Sequence, residues 1–117
     1  MGKDSIRTEI DRLNKKFGFI STVMEPTKGR KGPLSGVYVS VKDCICVKGV
    51  QSAAGSRILE GYRPTFDATV VRKAKEAGAS IIGKTNQDEF GFGTLSTNSG
   101  FEIPKNPHDP ERSCGGS

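Results

Sequence analysis

The sequence predicts an α/β layer fold on three observations. An amphipathic helical stretch followed by a short apolar segment opens the chain, and the same order recurs over residues 67–84. Between them, residues 37–41 alternate apolar and polar with the period of a half-buried strand.

The first helix is expected over residues 5–16, where Ile6, Ile10 and Leu13 recur at spacings of four and three with charges between them. Residues 17–23 (FGFISTV) read as a strand closed by Pro26, and residues 27–33 (TKGRKGP) as a loop. In the alternating segment Val37, Val39 and Val41 share one face, and Tyr38, Ser40 and Lys42 the other. Residues 52–61 suit a short helix ended by Gly61. Asp67 is placed to cap a helix running to Ala77, with Val70, Val71, Ala74 and Ala77 on one side and Gly78 as its stop. Residues 79–84 then read as a buried strand. From residue 91 onward the chain is rich in Gly, Ser, Thr, Asn and Pro without periodicity, which points to a functional segment or one that packs against further chain.

Composition places the chain among folded globular proteins. It has 117 residues, a size suited to one small domain, with 33% hydrophobic residues, 26% charged residues and 15 glycines. The charged N-terminus has no apolar core of a signal peptide, and no apolar run approaches a membrane span. Three cysteines without a regular framework fit reduced thiols and a cytoplasmic location. The net charge of +5 favours polyanionic partners, although the cationic residues are scattered apart from Lys28, Arg30 and Lys31.

Two motifs point to chemistry and fail on context. Residues 78–85 (GASIIGKT) satisfy the phosphate-loop pattern letter for letter. That loop must lie between a strand and a helix N-terminus, whereas here a helix precedes it and two isoleucines favour extended chain. Cys44 and Cys46, one residue apart, with His108 and Cys114 far downstream, do not have zinc-ligand spacing.

A longer set of segments is more informative: GPLSGVYVSVKD (residues 32–43), DATVVRKAKEAGASIIGKTNQDEFGFG (residues 67–93), then NSGF, NP and CGGS. In this order they resemble the amidase-signature family, and within it the A subunits of tRNA-dependent amidotransferases that act on glutamyl-tRNA(Gln) or aspartyl-tRNA(Asn). The resemblance implies a mixed sheet flanked by helices, of which this chain supplies the N-terminal part. Residues 1–31 would form a helix, a short strand and a basic loop, and residues 32–117 the first portion of the amidase-signature domain.

The resemblance also implies a mechanism. The family hydrolyses amides with a serine nucleophile, a second serine held through a cis peptide, and a lysine. Lys42 of VKD matches the lysine, and Ser117, after Gly115 and Gly116, matches the second serine. A lysine acts as a base only as a neutral amine, which burial among uncharged neighbours favours. The two glycines allow the unusual backbone that a cis serine needs. The matching nucleophile would lie beyond Ser117, so the 117-residue polypeptide alone is expected to be inactive.

The implied substrate is glutamine, with ammonia passed to partner B and C subunits and tRNA engaged through the complex. No cofactor is expected in this chain; ATP and magnesium would belong to a partner. Two other functions stay open on the residues alone: an amidase for another amide without tRNA, and a non-catalytic binding module that keeps only the first part of the fold.

Overall fold

The computed structural model describes residues 3–116. Helix α1 spans Lys3–Phe17, a residue or two longer at each end than its periodicity predicts. Ile10 is buried, and Ile6 and Leu13 are half-buried on the same side. The helix stops at Gly18, whose φ of +64° few side-chain-bearing residues adopt. Asn14 then joins helix to strand: its Oδ1 accepts from the Ile20 N–H at 2.8 Å, and its Nδ2 donates to the Ile20 carbonyl at 3.0 Å. Because residues 17–19 form this junction, strand β1 is confined to Ile20–Val23.

Strand β2 covers Tyr38–Lys42 and strand β3 Ser80–Thr85. The three strands form one mixed sheet in the order β1-β3-β2, with β1 antiparallel and β2 parallel to β3. A parallel pair needs a long crossover, and residues 43–79 supply it. They include helix α2, Thr69–Glu76. Val41, Val47, Val71 and Ile81 form the core between sheet, crossover loop and α2, joined at its margin by Met24, Val39, Ile45 and Ala74. Val37 precedes the strand and lies exposed.

Three further expectations of local structure are corrected. Residues 52–61 hold only one 3-10 turn, Arg57–Leu59, because Ala54 and Gly55 before it take positive φ and Gly61 after it does too. Gly55 packs so closely that a Cβ would lie 2.5 Å from the Gln87 carbonyl oxygen. Asp67 does not cap α2; Ala68 holds that position without a side-chain bond. Instead Asp67 accepts from the Lys48 N–H and from Lys75 Nζ, both at 2.8 Å, tying loop to helix. Val71 faces the core while Val70, a helical step of about 100° away, is 60% exposed.

The phosphate-loop pattern is strand: its isoleucines and Lys84 lie in β3. Gly78 ends α2 at φ +102°, against the Arg30 carbonyl.

Candidate functional site

The parallel register of β2 and β3 sets Lys42 opposite Thr85 at the C-terminal ends of both strands. In open α/β sheets the crevice beyond such ends is where ligands bind. Lys42 and Thr85 line a cleft of about 260 Å3 there. Residues 86–88, running on from β3, form one wall. Gly91, Gly93 and Ser96 form another, and the chain returns at Cys114, Gly115 and Gly116 to close it.

These walls are held by side chains bonding to backbone. Buried Asp88 accepts from the Asn98 N–H at 2.8 Å and the Ser96 N–H at 3.2 Å. Ser96 Oγ donates to the Gly115 carbonyl. Asn86 Oδ1 accepts from Ser99 Oγ at 2.7 Å, and its Nδ2 donates to the carbonyls of Gly18 and Glu102. Gln87 Oε1 accepts from the Cys44 N–H at 2.9 Å, which fastens the loop after Lys42 to the same wall. A run that looks structureless in sequence is therefore built by Asn86, Gln87 and Asp88.

Lys42 is half-buried, and the peptide unit that follows it is held at both its carbonyl and its N–H. The Ile45 N–H donates to its carbonyl at 2.8 Å, and the next N–H, that of Asp43, donates to the Thr85 carbonyl at 3.0 Å. Its neighbours along the cleft are the uncharged Thr85, Asn86 and Gln87 and the carboxylate of Asp88. Ser117 lies outside the described residues. Gly115 and Gly116, which lead to it, line the cleft with Lys42.

Behind the cleft stands a pair of charges that sequence reasoning missed. Lys84 and Asp43 have side chains 0% and 1% exposed, with Nζ 3.6 Å from Oδ1. The Lys84 ammonium also donates to the Asp43 carbonyl and to Ser52 Oγ, each at 3.2 Å, and to the Gln51 carbonyl at 3.5 Å. Ser52 Oγ donates in turn to the Asp43 carbonyl at 2.8 Å. Asp43 Oδ2 accepts from the Gly55 N–H at 3.1 Å. Oδ1 has no hydrogen-bond donor among the described residues, so Lys84 is its charge partner. Burial pushes the Lys84 ammonium below the ordinary lysine value, and the Asp43 carboxylate opposes that shift. The available signal was a lysine inside an apolar strand, because a buried charge requires a partner.

The family profile described as Amidase matches residues 21–117. The chain belongs to the amidase family. Among curated family members, it is 55% identical over 86 residues to the A subunit of the chloroplastic/mitochondrial glutamyl-tRNA(Gln) amidotransferase of Oryza sativa subsp. indica, covering 74% of this chain and 16% of that one. It is 54% identical over 99 residues to the A subunit of the glutamyl-tRNA(Gln) amidotransferase of Methanospirillum hungatei, covering 85% and 23%. The crystal structure of the corresponding A subunit of the glutamyl-tRNA(Gln) amidotransferase of Thermotoga maritima superposes with a TM-score of 0.90 at 41% identity, covering 98% of this chain and 26% of that one. A second solved structure, 6-aminohexanoate cyclic dimer hydrolase complexed with substrate, superposes with a TM-score of 0.89 at 25% identity, covering 98% of this chain and 26% of that one. The chain thus spans about a quarter or less of the length of these relatives and corresponds to the N-terminal part of the amidase-signature fold.

Proposed function

We propose that this chain is the N-terminal part of a glutamine-hydrolysing amidotransferase subunit, in which Lys42 is the catalytic lysine. The observation that carries the reading is the position of Lys42. It stands at the C-terminal end of β2, in a cleft closed by the glycine pair that leads to Ser117. The high identity to amidotransferase A subunits favours glutamine over other amides.

In this mechanism a serine supplied by the rest of the fold attacks the side-chain carbonyl of glutamine. Its proton passes through the Ser117 hydroxyl to the neutral amine of Lys42. The proton then returns to the leaving nitrogen as the carbon–nitrogen bond breaks, which gives ammonia and an acyl-enzyme. Water attacks the ester by the same relay and releases glutamate. Donors for the developing oxyanion, the kind of preorganised group that dominates acyl-transfer catalysis, would come in part from the glycine-rich stretch that carries the nucleophile.

Ammonia would pass to a partner subunit that holds ATP and magnesium and amidates Glu or Asp on misacylated tRNA, in a complex of A, B and C subunits. The location is proposed as cytoplasmic; the plant relatives are named chloroplastic/mitochondrial. A second reading, hydrolysis of another amide without tRNA, draws on the close superposition with 6-aminohexanoate cyclic dimer hydrolase.

The test is ammonia release from glutamine by the protein expressed with the sequence that follows Ser117 in its own reading frame. Release that depends on Lys42 and on glutamine in preference to simple amides supports the proposal. Hydrolysis of simple amides but not glutamine favours the second reading. The polypeptide ending at Ser117 is expected to release none, and release by it would contradict the assignment of the nucleophile.

A further inference from the structure

Asp43 places a negative charge one residue from Lys42, in a buried setting where a charge acts strongly on its neighbours. Its carboxylate receives one N–H bond, from Gly55, and its other oxygen has no hydrogen-bond donor among the described residues. An under-satisfied buried carboxylate draws in the nearest available cation. Lys84 meets that need from strand β3, and its ammonium is held by the Asp43 and Gln51 carbonyls and Ser52 Oγ. Adjacent residues on a strand point to opposite faces, so Thr85 opens on the cleft beside Lys42 while Lys84 turns into the protein.

We propose that Lys84 is a positioning residue for Lys42: its buried charge neutralises Asp43, so that the carboxylate does not hold Lys42 in the protonated state. This rests on the reading of Lys42 as the reactive lysine and names a further residue that the same site needs. The other titratable groups nearby do not supply that charge. Cys44 and Cys46, on the loop after β2, carry no positive charge in either form. Asp88, in the cleft wall, is a carboxylate already bonded to the N–H groups of Ser96 and Asn98.

The experiment is trace acetylation of the full chain with acetic anhydride near neutral pH, with each lysine quantified by peptide mass spectrometry. Lys73, exposed on α2, serves as the internal reference. Lys84→Gln keeps a hydrogen-bond donor and removes the charge. It is expected to lower the Lys42-to-Lys73 labelling ratio at least about threefold, which corresponds to a shift of roughly half a pK unit. Lys84→Arg, which keeps the charge, and Asp43→Asn/Lys84→Gln, which removes both charges, should return the ratio to near the wild-type value. The pH profile of labelling separates the roles: loss of the charge moves the Lys42 midpoint upward, whereas a purely structural change alters its accessibility without moving that midpoint.

An unchanged ratio in folded Lys84→Gln overturns the proposal. If Lys84→Gln does not fold, Asp43→Asn decides: it leaves the Lys84 charge unopposed, so a raised Lys42-to-Lys73 ratio supports the proposal and an unchanged one overturns it. Labelling needs no turnover. Failure of this proposal is therefore distinct from failure of the glutaminase reading, which ammonia release tests.

Discussion

Lys84 Nζ lies 3.6 Å from Asp43 Oδ1, with both side chains removed from solvent. Removing one member of such a pair leaves the other charge buried alone, which costs about 3–5 kcal/mol. Lys84→Met is therefore expected to destabilise the chain by that order in urea unfolding. Asp43→Asn/Lys84→Met should be markedly less destabilised than Lys84→Met. Additive single effects would show that the two charges do not interact.

Gly55 supports the same pair through its N–H to Asp43 Oδ2. It has φ +69°, and a Cβ there would approach the Gln87 carbonyl oxygen to 2.5 Å. Both terms act against Gly55→Ala, which is expected to cost about 2 kcal/mol or more. Gly36→Ala, also at positive φ but with open space at its Cβ, should cost less. Equal unfolding midpoints for the two variants would remove the close approach from the account.

How much of this could be read in the sequence depends on whether the cause was local. The repeat of Ile6, Ile10 and Leu13 places α1, and the isoleucines before Gly83 place β3. Lys42 was legible as the residue ending an alternating strand. Residues 52–61 were misread because Ala54, Gly55 and Gly61 take positive φ, and the backbone that Gly55 packs against, at Gln87, lies far along the chain. Lys84 was passed over for the same reason: the partner that makes it tolerable lies on the loop after another strand. Asp67 has the composition of a cap, yet its carboxylate is occupied by Lys48 and Lys75.

Asp67 gives the fold an acid-sensitive tie. Burial alone would raise its pKa, but the Lys75 hydrogen bond, the Lys48 N–H and the charges of both lysines outweigh this and hold it below 3.8. A carboxyl with a depressed folded pKa contributes fully above its unfolded value, and the contribution is lost as pH falls through the folded value. Asp67→Asn is thus expected to be less stable than wild type by about 0.5–1 kcal/mol near neutral pH. In thermal melts the difference should shrink below pH 3.8. A difference that stays constant to pH 2.5, roughly a pH unit lower, would contradict the ion pair's part in it.

Ile58 and Phe92 are 79% and 78% exposed, and Phe66 and Leu95 are also open to solvent. Exposed apolar side chains in such number favour association. The 117-residue chain is expected to self-associate at micromolar concentration in sedimentation velocity. Ile58→Ser/Phe92→Ser should reduce association while changing stability by no more than about 0.5 kcal/mol. A wild-type chain that stays monomeric would contradict this.

In the proposed function Lys42 serves amide hydrolysis from the end of β2. The most direct test is the steady-state rate of glutamine hydrolysis by the protein carried through its own reading frame, compared with its Lys42→Met variant. The expected result is a fall in kcat of about 10²–10⁴-fold with KM little changed, the loss of a group that moves a proton in the transition state. Retention of kcat within about twofold by a folded Lys42→Met protein, far from any general-base effect, would contradict it.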